Sequence, residues 1–268
     1  MQSFKWKIHN LLLKFSRILL PIRLIKFYEK QFALIQGKGY GSITIKEEIN
    51  ACRQLLKYHE VKRIVDIGAN KGEYTEELLK YFSKSEFHLF EPSKYLSNIL
   101  LKKYSRFKNV KIITKALSNT QREGFLYFDK YGSGLASLKK RKLDHHKKKF
   151  NLKEKIQITT FKNYYQRKLK GKNIDYCKID AEGYELKILK GFKEIIKKTK
   201  IIQFEFGGCN IDTRVFFQDF WYFFKRLNFD IYRITPGKIE KIYNYDEKDE
   251  YFLTTNFIAV NKNLNEKN

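Results

Sequence analysis

The sequence predicts a doubly wound α/β fold on a mostly parallel sheet, preceded by a helical extension. Three observations predict it. Apolar runs of about five residues alternate with helical stretches of about ten, the rhythm of βαβ units. The first run, Val61 to Ile67, carries Asp66 at its end and leads into the turn Gly68-Ala69-Asn70-Lys71-Gly72. The second, Glu86 to Phe90, is followed by another acid, Glu91, and then Pro92.

The elements follow in order. The chain has 268 residues, 43% of them hydrophobic, enough for one large domain with a full core. Near its start, Phe4, Ile8, Leu11, Phe15, Ile18, Ile22 and Ile25 recur at steps of four and three, one face of a helix. Eight Lys or Arg in the first 38 residues stand against Glu29 alone, a net +7. Lys14, Arg17 and Arg23 break every apolar run, so none approaches the roughly 18 residues of a transmembrane helix. No apolar stretch with a small-residue cleavage site marks a signal peptide. Pro21 should kink or divide the helix. Two readings of this segment stay open: a helical lid packed on the main domain, or a basic amphipathic helix resting on an anionic membrane.

After Gly37-Lys38-Gly39-Tyr40-Gly41 a helix is expected from Lys46 to Tyr58. Helices are expected again at Glu73 to Phe82 and Lys94 to Tyr104, with a third strand at Val110 to Thr114. The rhythm breaks between Asp129 and Lys155. There Lys139 to Lys155 carries nine Lys or Arg against Asp144 and Glu154, either a solvated face or a basic lid over an anionic substrate. Strands return at Ile156 to Phe161, Ile174 to Ile179 and Ile201 to Phe206, with a helix at Glu185 to Lys197. Phe229 to Ile234 and Phe252 to Val260 read as a closing strand pair. The expected organisation is an extension over residues 1–40, a domain over 41–262 with a Lys-rich insertion around 132–155, and a polar tail at 263–268.

The net charge of +26 attracts anions without choosing among nucleic acid, acidic lipid and charged glycan, and an AT-rich genome would also enrich Lys. Cys52, Cys177 and Cys209 are odd in number and widely spaced, which points away from a disulfide framework or thiolate zinc site and towards a reduced, cytoplasmic compartment. No metal-ligand spacing is visible: His145 and His146 are adjacent in a polar run, and His88 alternates with apolar residues as a core histidine would.

The chemistry concentrates in three places. Asp66 can meet a ligand ammonium group beside the glycine turn, which is neither a dinucleotide GxGxxG nor a P-loop. Glu91, at the next strand end, can accept hydrogen bonds from both hydroxyls of a ribose. The run Lys178-Ile179-Asp180-Ala181-Glu182-Gly183-Tyr184-Glu185 crowds three carboxylates at a strand end, where like charges raise one another's pKa towards the range of a general base. Glu185 suits a helix's first turn equally well. Glu205, inside the strand Ile201 to Phe206, is a further candidate for the site.

The DIGANKGEYT run (Asp66 to Thr75), Phe90-Glu91-Pro92, Ala116-Leu117-Ser118 and KIDAEGYELKILKG (Lys178 to Gly191) together resemble the FkbM family of methyltransferases over about residues 60–260. The resemblance implies the class I, Rossmann-like methyltransferase sheet of seven strands with the last antiparallel, and S-adenosyl-L-methionine as donor. It implies that Asp66, Gly68, Ala69, Asn70, Gly72 and Thr75 surround the methionine moiety, Glu91 with Pro92 the ribose, and Ala116, Leu117 and Ser118 the adenine. Asp180, Glu182 and Glu185 would sit near the acceptor, Asp180 also touching the cofactor, and Asp180, Glu182 or Glu205 would take the acceptor proton. The implied reaction is O-methylation of sugars in bacterial glycans or of secondary metabolites. The acceptor expected here is a sugar of a bacterial surface glycan, as a nucleotide- or lipid-linked precursor, and the enzyme is expected in the cytoplasm, peripheral to the membrane's inner face. The rivals are an RNA methyltransferase, for which no RNA-binding module is visible, and a non-catalytic cofactor-binding module in a membrane-associated assembly.

Overall fold

Residues 2–41, 45–56 and 59–265 are described in the computed structural model. Helices α1 (Gln2–Leu19) and α2 (Ile22–Ile35) are divided at Pro21, whose ring cannot continue a helix. Next come α3 (Ile45–Leu56), β1 (Arg63–Ile67), α4 (Glu73–Tyr81), β2 (Glu86–Phe90), α5 (Lys94–Lys103) and β3 (Val110–Ile113). Lys57 and Tyr58, the expected end of the third helix, and residues 266–268 of the expected tail lie outside the described residues. The middle of the chain forms β4 (Ala116–Leu117), β5 (Arg122–Phe128), β6 (Leu152–Thr159), α6 (Phe161–Lys168), β7 (Ile174–Ile179) and α7 (Glu185–Phe192). The last part forms β8 (Thr199–Phe206), α8 (Gly208–Thr213), α9 (Phe217–Arg226), β9 (Phe229–Thr235), β10 (Lys238–Ile242), β11 (Thr255–Asn261) and α10 (Lys262–Asn265).

The main sheet has the order β10-β9-β11-β8-β7-β1-β2-β3. β11 runs antiparallel to both its neighbours, β8 and β9. The sheet has eight strands rather than the expected seven. The additional strand, β10, is the hairpin return of β9 across Pro236-Gly237, with Gly237 at φ +70°. One face of the sheet buries an apolar layer with Ile49, Cys52 and Leu56 of α3 and Leu78 of α4. The other buries Phe161 of α6, Leu189 and Phe192 of α7, and Phe220 and Phe224 of α9. Helices on both faces of a mostly parallel sheet are the doubly wound arrangement. β1 and β7 run parallel, but the order in which strands are added reverses between them, which opens the crevice where such sheets bind ligands.

Three features depart from the sequence expectations. The strand expected to run through Phe161 ends at Thr159, because the Thr160 hydroxyl accepts from the Asn163 amide and caps α6. A second sheet, β4-β6-β5, stands beside the first over Ala116, Leu126, Phe128, Ile156 and Ile158. The Lys-rich run spans the long connection of its β5–β6 hairpin and the start of β6; its lysines are exposed, as a solvated face would be, while Leu143 and Phe150 are buried and anchor it. The lid reading of the amino-terminal extension also fails for α1, and only the end of α2, where Ala33 is buried, packs on the domain. Phe4, Leu11, Phe15 and Ile18 of α1 are exposed, Ile18 at 81%, so among the described residues their apolar face is left uncovered. Among the described residues no helix is long and apolar enough to cross a membrane.

Candidate active site

Register builds the site. Asp66 of β1 pairs with Lys178 of β7, Lys178 with Gln203 of β8, and Glu205 of β8 with Asn256 of β11. Side chains two residues apart share a face of the sheet, so Asp66, Lys178, Gln203, Glu205 and Asn256 all stand on the side covered by α3. Glu48 of α3 comes down on this polar row and accepts from Gln203 Nε2 at 2.5 Å. Gln203 is itself held from beneath, its Oε1 accepting from Tyr74 and, at 2.6 Å, from Tyr176. A cavity of about 400 Å³ opens here and continues over the ends of β1 and β2.

Of the residues expected to hold a cofactor, Gly68, Ala69, Asn70, Glu91, Pro92, Ala116, Leu117 and Asp180 line this cavity. Asp66, Gly72, Thr75 and Ser118 do not reach its wall. Asp66 is fully buried, accepts from the Thr75 hydroxyl at 2.7 Å, and has Lys178 Nζ at 4.0 Å. The ammonium nearest Asp66 is therefore the protein's own. Burial pushes its carboxyl up, against the pull of Lys178 and Thr75. The glycines also serve another purpose than the expected approach of backbone to ligand. A Cβ on Gly68, at φ +84°, would lie 1.8 Å from the Asp180 carbonyl oxygen, so this glycine lets the turn after β1 press on the end of β7. Gly72, at φ +77°, makes room for Leu100 and Tyr104.

Glu91 is 5% exposed, and both its oxygens are engaged: Oε2 accepts from the Asn70 amide and Oε1 from the Ser93 amide, each at 2.9 Å. A carboxylate oxygen has a second acceptor site, so each remains able to take a ribose hydroxyl. Burial pushes Glu91 up to about 7, with the two amides pulling the other way. Phe90, Leu96, Leu117, Leu126 and Leu138 supply an apolar wall beside it, suited to a nucleobase.

The carboxylates expected at the acceptor side fall into different positions. Asp180 lines the cavity and accepts from Lys178 Nζ at 3.2 Å. Glu182, in the left-handed region at φ 50°, is clamped by Arg141 of the Lys-rich insertion, which also reaches Asp212 at 3.4 Å. Burial and Asp180 push the Glu182 carboxyl up; Arg141 offsets part of that. Glu185 does not line the cavity: it is fully buried behind the loop, and its Oε1 accepts from the Ala181 and Gly183 amides at 2.7 and 3.1 Å. Glu205 lines the cavity, and no hydrogen bond holds its carboxyl among the described residues. Burial, then Asp180, Glu182 and Glu185, push it well above the ordinary range. Glu48, which lines the same end, was not expected from the sequence; burial pushes it up to about 7. A signal existed, because Glu48 interrupts the apolar stripe Ile45, Ile49, Cys52, Leu56 of its helix. Elsewhere, His88 is a buried core histidine, with Nδ1 at 2.7 Å from the Tyr164 hydroxyl, and His145 and His146 are exposed.

The strand order, the crevice at the switch point and the strand-end carboxylate Glu91 define the class as a methyltransferase of the class I fold. Residues 66–231, more than half of the chain, match the methyltransferase FkbM domain. The chain belongs to the FkbM methyltransferase family, whose methyl donor is S-adenosyl-L-methionine. Among solved structures, methyltransferase FkbM from Methylobacillus flagellatus KT is similar at 15% identity and a TM-score of 0.45, covering 76% of this chain and 45% of that one. The chain thus spans less than half the length of that relative. TrmK from M. capricolum, in complex with S-adenosyl-homocysteine, is similar at 14% identity and a TM-score of 0.40, covering 79% and 67% of the two chains. An rRNA methylase from Streptococcus thermophilus is similar at 10% identity and a TM-score of 0.44, covering 82% and 97%. Likenesses of this size carry no argument about substrate. A comparison with curated protein sequences found no match.

Proposed function

We propose that the protein transfers the methyl group of S-adenosyl-L-methionine to a hydroxyl of a sugar or glycan precursor, in the assembly of a bacterial surface polysaccharide. The observation that carries this reading is the composition of the cavity's far end: Glu48, Asp180, Glu205, Gln203 and Asn256, with Lys178 the cation among them. Carboxylates and carboxamides match the donors and acceptors of a polyol, whereas a phosphate at this end would meet repulsion. The net charge of +26 favours an acceptor joined to an anionic nucleotide or lipid carrier, with the carrier's charge outside this end.

The bound donor supplies an electrophilic methyl group. Glu91 orients its ribose, and the turn Gly68-Ala69-Asn70 shapes the wall beside it. Asp180, held by Lys178, accepts hydrogen bonds from the donor's ammonium or from the acceptor. Glu205 takes the proton of the acceptor hydroxyl: it lines the cavity, and among the described residues no hydrogen bond competes for its carboxyl. Glu182 and Glu48 have partners of their own and position the loop and the amide row. Labelled methyl transfer to nucleotide sugars, lipid-linked glycans and total RNA tests the reading. Transfer to RNA alone would replace the glycan reading with the RNA one, and cofactor binding without transfer to any pool would support the non-catalytic module.

A further inference from the structure

The cofactor site makes no use of the first 35 residues, yet they carry more than half of the exposed large hydrophobic side chains among the described residues. Phe4, Ile8, Leu11, Phe15 and Ile18 form one stripe along α1, widened by Leu12 and Leu19, and all are exposed. Beyond Pro21, Leu24, Tyr28, Phe32 and Ile35 continue an exposed apolar face along α2. Every described side chain from Phe4 to Lys30 is exposed except Asn10 and Ile25. The far end of the arm is nonetheless attached. Ala33 is buried, Lys38 Nζ donates to the Lys248 carbonyl at 2.7 Å, and Arg233 Nη1 donates to the Gln36 carbonyl at 3.4 Å.

We propose that α1 and α2 form a docking arm for an anionic lipid surface, lying flat with the apolar stripe among acyl chains and the cations at the headgroups. Charge complementarity selects this occupant. The first acidic residue of the chain is Glu29, whereas Lys5, Lys7, Lys14, Arg17, Arg23 and Lys26 precede it. On α1, Lys7 and Lys14 border one side of the stripe and Lys5 the other, while Arg17 lies on the opposite face. Cations flanking a stripe of Phe, Ile and Leu are the mark of an interfacial helix, although Trp6, Leu13 and Leu20 share the opposite side with Arg17. A nucleic acid would engage the cations and leave the stripe in water. A second copy pairing stripe to stripe would set the bordering lysines against one another. A spanning helix is not formed, because no described helix is long and apolar enough.

The test floats the full-length protein with vesicles of phosphatidylcholine alone and with about 30% phosphatidylglycerol, at about 0.15 M salt. The protein should float with the anionic vesicles and not with the neutral ones. The pair Leu11→Glu and Phe15→Glu should bind at least about tenfold more weakly than the pair His9→Glu and Asn10→Glu, which adds the same charge to the opposite face. Both pairs should bind S-adenosyl-L-methionine as the unaltered protein does, which separates lost docking from lost folding and from failure of the catalytic reading. The proposal is overturned if the protein stays below the anionic vesicles or floats equally with neutral ones. It is also overturned if the stripe pair binds like the control pair, if single-stranded RNA is bound more tightly than vesicles, or if the stripe pair only dissolves a dimer.

Discussion

Replacing Glu205 by Gln isolates proton acceptance from everything else that residue does. The carboxamide keeps the size of the side chain and its ability to hydrogen-bond, but it cannot take a proton. Turnover should fall by about 10²–10⁴, the usual worth of a positioned general base, which is roughly 3–5 kcal/mol of barrier. Affinity for S-adenosyl-L-methionine should change by less than about threefold, because the Glu91 contacts lie over β2 while Glu205 ends β8. Stability adds an independent sign. The Glu205 carboxyl is held above its ordinary range, so the folded state binds more protons there than the unfolded state, and stability declines as pH rises through that interval. Gln carries no such penalty, so the variant should melt no lower than the unaltered protein at pH 8. The assay is transfer of labelled methyl to the acceptor pool found in the screen, alongside calorimetry of cofactor binding and thermal melts. Full turnover in Glu205→Gln would falsify its role as base; the same experiment on Asp180→Asn would then decide whether that carboxylate acts instead.

Further outcomes follow from the same geometry. Glu91→Ala should weaken cofactor binding by about 1.5–3 kcal/mol, the range for hydrogen bonds to a charged group, and calorimetry showing unaltered affinity would move the ribose contact elsewhere. Gly68→Ala forces a Cβ to within 1.8 Å of the Asp180 carbonyl oxygen at φ +84°, so it should lower stability by at least about 1–3 kcal/mol, read from denaturant midpoints. An alanine variant as stable as the parent would mean that the turn relaxes freely. Glu185 is pushed up to about 7 from an ordinary 4.5, so its native state holds a proton that the unfolded chain has lost; this costs stability as pH rises between those values. Glu185→Gln keeps the acceptor for the Ala181 and Gly183 amides, so its melting temperature should overtake that of the parent by pH 8. A constant difference from pH 5 to pH 8 would refute the shift.

The alternation of short apolar runs with helices, and the acids closing the first two runs, were legible in the sequence because strand and helix periodicities are local. The family was legible for a similar reason: Asp66 to Thr75 and Lys178 to Gly191 are contiguous motifs. What register decides was not legible. Asp66 looks from the sequence like a ligand contact, but pairing with Lys178 across two strands and a hydrogen bond from Thr75 bury it behind the cavity wall. Glu48 belongs to a helix far along the chain from Gln203, and only the packing of α3 on the sheet brings their side chains together. Arg141 read as one charge in a solvated run until the folding of the β5–β6 connection carried it to Glu182. The glycines of the first turn are readable as necessary, yet what makes Gly68 necessary is a carbonyl just past the end of a strand more than a hundred residues away. The amphipathic pattern of α1 was likewise plain, but whether its apolar face would be covered depends on the surfaces the rest of the chain presents, and the fold leaves it open. Sequence determines which groups each segment carries; their partners, burial and charge state depend on distances that the chain sets only when it is packed.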